Sequence, residues 1–98
     1  MKQVLLVHDD DNVANTITDI GKGENFEYML GDKKRQLSAL EEIPFGFKVA
    51  VNDIAAENSI VKYGQVIGRA SRNIKAGECV HIHNVEGTRG RSDQGGGK

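Results

Sequence analysis

The chain reads as a small, mostly β domain followed by a structureless tail. Three observations carry that reading. No helix-period pattern of apolar residues runs for more than about two turns. Short runs rich in β-branched and aromatic residues recur between clusters of Gly, Asn and Asp, the composition of strands separated by turns. Residues 86–98 contain five glycines and no apolar side chain, so burial cannot offset the entropy of ordering them. We therefore expect a folded domain over 1–85 and a disordered glycine-rich tail or linker over 86–98.

The 98 residues suffice for one domain with one modest core. The net charge of −1 gives no electrostatic case for nucleic acid or an anionic membrane as partner. Cys79 is the lone cysteine and cannot form an internal disulfide. It is expected as a small buried hydrophobe in a reducing compartment. No apolar run reaches the ~18 residues of a membrane span, and Val4–Val7 is too short for a signal sequence, so a soluble, cytoplasmic chain is expected.

Val4–Val7, a continuous apolar run, predicts a strand buried on both faces. His8-Asp9-Asp10-Asp11-Asn12 predicts a turn, because Asp and Asn side chains accept hydrogen bonds from nearby amides. The cluster also offers hard oxygen ligands, although the glycine and distal glutamate of an EF-hand loop are missing. Strands follow at Val13–Thr18 and Phe26–Leu30, with Gly31–Lys34 as a hairpin tip. Gln36–Leu40 returns from that tip. Alternatively, the three-residue spacing of Leu37, Leu40 and Ile43 forms one or two helical turns that Pro44 stops. Phe45–Val51 is the next strand, with Phe47, Val49 and Val51 on one side.

Segments 18–24, 52–58 and 72–78 share one pattern, a polar pair followed by Ile20, Ile54 or Ile74 and a turn. Their spacing is uneven, so they predict three copies of one corner with a core-plugging isoleucine, not a solenoid. Ile60–Ala70 is β-rich, and Gly64 and Gly68 are expected to let it bend. No helix follows them to support phosphate binding, and no serine sits in a nucleophile elbow. In a strand through Val80–Asn84, His81 and His83 share the face opposite Val80 and Ile82. Such a pair can chelate one metal ion if a third ligand arrives. His8 or Asp9–Asp11 would supply it if the first and last strands are neighbours; two ordinary exposed histidines are the alternative.

Four blocks then carry a resemblance: Asp11-Asn12-Val13-Ala14; Ile43-Pro44-Phe45-Gly46-Phe47-Lys48-Val49-Ala50; Ile60 through Ala70; and Gly77-Glu78-Cys79-Val80-His81-Ile82-His83-Asn84. In this order, over about residues 3–85, they closely resemble the SAF-type N-terminal domain of the altronate dehydratase family. Its relatives include galactarate dehydratase and the small subunit of sulfolactate sulfo-lyase. The resemblance implies a β-clip fold and a role in a metal-dependent hydro-lyase, or carbon–sulfur lyase, acting on sugar acids or related hydroxy acids. This chain would be inactive alone and would contribute one wall of a site shared with a large catalytic subunit. A divalent metal, iron or manganese, is implied for the assembled enzyme, and a homo-oligomer stays open.

Carried over by position, the catalytic candidates are His81, His83 and Lys48. The substrate-binding candidates are Lys62, Tyr63, Asn84 and Asn12, and the metal-ligand candidates are His81, His83, His8 and Asp11. Lys62 or Lys48 would hold the substrate carboxylate, and His81 or His83 would act as ligand or proton carrier. One departure stands out: the family's second block usually reads Gly-His-Lys, whereas this chain has Gly46-Phe47-Lys48, and phenylalanine neither ligates metal nor moves a proton. The alternative function is a non-catalytic SAF module that recognises a carbohydrate or a protein.

Overall fold

The computed structural model describes residues 1–87. Among them are nine strands and no helix: β1 (Lys2–Leu5), β2 (Val13–Thr16), β3 (Asn25–Leu30), β4 (Lys33–Ser38), β5 (Lys48–Ala50), β6 (Ser59–Lys62), β7 (Gln65–Ala70), β8 (Cys79–Val80) and β9 (Val85–Glu86). The helical turns considered at Leu37–Ile43 do not form. Leu37 lies in β4, directly opposite Phe26 of β3, and that cross-strand pairing takes precedence over the three-residue spacing. No helix among these residues is long and apolar enough to cross a membrane.

A six-stranded sheet runs in the order β4-β3-β1-β2-β5-β8, and a three-stranded sheet runs β6-β7-β9. Two strands, β2 and β5, thus separate the first strand from β8, which removes the premise for joining His8 and Asp9–Asp11 to the histidines that follow β8. Two cores flank β2, β5 and β8. Ala14, Val49 and Cys79 face one together with Phe26, Ile20 and Ile43. Val13, Ala50 and Val80 face the other together with Ile54, Ile60 and Ile74. Successive side chains in a strand point to opposite faces, so these three strands are buried on both sides. The two-sided burial expected at Val4–Val7 is not found. Only Val4 is buried there, while Leu5 and Val7 are exposed, because the second core does not extend as far as β1.

The repeated corner occurs four times, not three. After Ile20, Ile43, Ile54 and Ile74 the chain makes the same turn, closed by hydrogen bonds from Glu24 N to Gly21 O, Phe47 N to Pro44 O, Asn58 N to Ala55 O and Glu78 N to Lys75 O. The third residue after each isoleucine has positive φ: Gly23 at 83°, Gly46 at 88°, Glu57 at 76° and Gly77 at 95°. This is the type II turn, which favours glycine at that place. The four corners associate in pairs, Ile20 with Ile43 and Ile54 with Ile74, through mutual backbone hydrogen bonds. Asp19, Asp53 and Asn73 add side-chain caps, accepting from the amides of Phe45, Ala76 and Ala56 in their partner corners. The copy at Ile43 escapes the sequence pattern because Glu42 replaces the short capping residue and Pro44-Phe45 resembles the start of a strand. The strand expected from Phe45 in fact begins at Lys48.

Val85 and Glu86 pair with Ala70 and Arg69, so the ordered chain continues at least one residue past the expected boundary. Gly68 permits this pairing, since a Cβ there would sit 2.8 Å from Glu86 O. The remainder of the expected tail, from 88 onward, lies outside the described residues.

Candidate functional site

The Ile60–Ala70 run is not one bent strand. It folds back at Lys62-Tyr63-Gly64-Gln65 as the β6–β7 hairpin, with Tyr63 at φ 57° and Gly64 at φ 72°. Two consecutive positive φ values make the type I′ turn, whose twist matches that of hairpin strands. A tyrosine in this conformation needs support, and Asp11 supplies it. The carboxylate is 2% exposed and accepts from Tyr63 N (2.9 Å), Gly64 N (2.8 Å) and His8 N (3.1 Å). Asn12 extends the same joint. Its Oδ1 accepts from Val61 N at 2.8 Å and its Nδ2 donates to Ser59 O at 2.9 Å, so the side chain acts as a short strand alongside β6. His8 is exposed, its ring lies against Gly64, and its Nδ1 accepts from Asp10 N.

This anchoring presents Tyr63 and Lys62 above the six-stranded sheet. Tyr63 Oη accepts a hydrogen bond from Asn15 Nδ2 at 3.0 Å. Asn15 of β2 stands directly opposite Lys48 of β5, and the Lys62 ammonium lies 4.7 Å from the centroid of the Tyr63 ring. Four side chains from two sheets therefore meet in one corner. Burial lowers the pKa of Lys48, the nearby Lys62 charge lowers it further, and Cys79 and Tyr63 act in the opposite direction. Among the described residues, neither lysine makes an ion pair or accepts a structural role by hydrogen bonding, whereas Lys2, Lys34 and Arg69 all contact carboxylates.

His81 and His83 do not share a strand face. β8 ends at Val80, and residues 81–84 form a turn in which Ile82 is 83% exposed instead of facing the core. Asn84 closes this turn from a fully buried position. Its Oδ1 accepts from His81 N at 3.0 Å and its Nδ2 donates to Cys79 O at 2.9 Å. His81 stacks on Phe47 with ring centroids 4.0 Å apart and an interplanar angle of 25°, while His83 is exposed. Phe47 packs against the first core together with Val49 and Val51, as its alternation predicts. Cys79 is buried, and burial together with the Glu41 carboxylate pushes its thiol up to about 11.

The structure thus separates the candidates. Lys48, Lys62 and Tyr63 come together, whereas His81, which follows β8, stacks on Phe47 beside the first core. Asp11, Asn12 and Asn84 are consumed by backbone groups. Asn15, which the sequence reading missed, joins the site; asparagine in the middle of a strand is uncommon, and that was its available signal. The expected metal set of His81, His83, His8 and Asp11 does not assemble. Among the described residues no three His, Cys, Asp or Glu side chains converge as a metal site, and Asp11 is occupied by three amides. The donors among the described residues do not form a complete metal centre.

Comparison with known proteins agrees with the four-block resemblance. Residues 2–88 match the family described as altronate/galactarate dehydratase SAF domain. The chain is 38% identical over 86 residues to altronate dehydratase of Bacillus subtilis, covering 88% of this chain and 16% of that protein. It is 42% identical over 74 residues to the L-threo-forming galactarate dehydratase of Escherichia coli, covering 76% of this chain and 13% of that protein. Against (2R)-sulfolactate sulfo-lyase subunit alpha of Chromohalobacter salexigens it is 33% identical over 85 residues, 83% of this chain and 90% of the subunit. The chain therefore spans a small fraction of either dehydratase and most of the sulfo-lyase subunit.

Proposed function

Because the chain belongs to the altronate/galactarate dehydratase SAF-domain family, we propose that it forms one wall of a lyase active site for a small hydroxy acid, completed by a larger catalytic partner. The observation that carries the proposal is the pair of lysines, Lys48 and Lys62, which face one corner without a carboxylate partner among the described residues. Partly desolvated cations placed side by side destabilise each other, so their arrangement is best accounted for by an anion that joins them.

In an elimination, loss of the proton α to a carboxylate places negative charge on the carboxylate oxygens. Fixed ammonium groups beside those oxygens stabilise that charge more than the ground state, especially where water is excluded. Lys48 and Lys62 take this role, and His81, held just past β8 by its stack on Phe47, is the imidazole assigned to carry a proton. The base, the leaving-group acid and the divalent metal are assigned to the partner, since the described residues gather no three metal-ligating side chains. The sulfo-lyase subunit that matches nearly end to end supports reading the domain as a separate subunit.

Co-expression with a large lyase chain, followed by assay on altronate, galactarate and (2R)-sulfolactate, tests the proposal. Turnover is expected from the complex and not from this chain alone, and Lys48→Ala should lower kcat/KM about 100-fold. Two chains that elute separately, or turnover unchanged in Lys48→Ala with Lys62→Ala, would overturn it.

A further inference from the structure

We infer that Asn15 is a positioning residue for this corner: its amide occupies the acceptor side of the Tyr63 hydroxyl and directs the phenolic hydrogen to the oxyanion that Lys48 and Lys62 hold. The inference rests on the anion-binding reading above and deepens it. A phenol has one hydrogen to donate and lone pairs to accept with. Asn15 Nδ2 donates to that oxygen at 3.0 Å, which leaves the hydroxyl as a donor toward a third group.

The backbone of both partners is fixed. Tyr63 is held in the left-handed region by the two turn amides bound to Asp11, and the Lys62 ammonium covers a face of its ring. Asn15 is clamped in mid-sheet between Leu5 of β1 and Lys48 of β5. The corner therefore offers two ammonium groups, which only donate, and one hydroxyl whose hydrogen is left to donate. A ligand matched to three donors is all acceptor, such as the carboxylate or sulfonate of a hydroxy acid. A bound amide or alcohol, which brings its own donors, fits less well, so Asn15 contributes to selection among ligands without touching them.

Sodium gluconate serves as the probe for the full 98-residue chain at neutral pH, against sodium chloride at equal ionic strength, with NMR following affinity and the Tyr63 Cζ resonance. Gluconate should shift that resonance in the wild type and not in Asn15→Ala. Tyr63→Phe and Asn15→Ala should each weaken binding about tenfold, and the double variant should lose no more than either single one. Asn15→Asp, whose carboxylate takes the phenolic hydrogen and adds a negative charge, should abolish binding while the amide spectrum stays folded. Gluconate binding that depends on Lys48 but is unchanged in Asn15→Ala overturns the positioning role and leaves the anion reading intact. Absence of Lys48-dependent binding in the wild type overturns both.

Discussion

Two groups of polar side chains lie within a short span of this fold and have opposite fates. Asp11, Asn12 and Asn84 direct every hydrogen-bonding atom described for them to backbone amides and carbonyls. Lys48, Lys62 and the Tyr63 hydroxyl, on β5 and at the β6–β7 hairpin tip, keep donors to spare. The first group builds the hairpin tip and the 81–84 turn; the second is presented from the hairpin tip and from β5. Residue type alone does not separate them, since both are polar, and both lie in the blocks that match the dehydratase family. Engagement with the backbone does.

The largest test of the contrast is Asp11→Ala. It leaves the Tyr63 and Gly64 amides without their charged acceptor in a strained turn, and unfolding by urea should show a loss of about 3–5 kcal/mol. Asp11→Asn should remain clearly destabilised, because one of its two acceptors becomes an NH2 group facing N–H donors. Asn84→Ala, which strips two buried backbone partners, should cost about 2–3 kcal/mol in the same assay. If either variant unfolds like the wild type while losing ligand binding, the division between builders and presenters is broken.

Lys48→Met should do the reverse. The lowered pKa of Lys48 means that the fold disfavours its protonated form. Its contribution to stability is therefore highest above the ordinary lysine value of 10.5 and falls as pH drops through the folded value. At neutral pH the variant should be as stable as the wild type, within about 0.5 kcal/mol, or more so, while anion binding is lost. The same shift sharpens the pH dependence: binding of a carboxylate should fade with rising pH at lower values than an ordinary lysine would give, as read by titration across the alkaline range.

The smallest effect concerns Cys79. With its thiol pushed up to about 11, Cys79 should resist labelling at pH 8 in the native chain and react promptly in urea, where the ordinary value of 9.0 returns. The raised value also means that its share of stability, complete below about pH 9, is lost as pH rises toward 11.

Much of this was legible beforehand. The β-rich runs became strands at β2, β3 and β5–β7, the Gly31 turn became a hairpin, and three of the four corners were visible as a polar pair before Ile20, Ile54 and Ile74. The fourth was hidden by Glu42 and Pro44, because a proline followed by alternating aromatic residues has the composition of a strand entry. The roles of Lys48, Lys62 and Tyr63 as site candidates came from the resemblance, and the structure brings them together. The histidine pair failed as a strand face because β8 stops at Val80, where the buried amide of Asn84 offers the backbone a turn in place of further pairing.

The sequence by itself determined a mostly β chain of the altronate/galactarate dehydratase SAF type and a short roster of polar candidates, since strand composition, turn residues and block order are local properties. The tertiary structure alone decided which of those candidates are spent and which are presented. That depends on partners 47 to 53 residues apart, as between Asn12 and Ser59 or Asp11 and Gly64, and no local pattern records which backbone amide a carboxylate will meet.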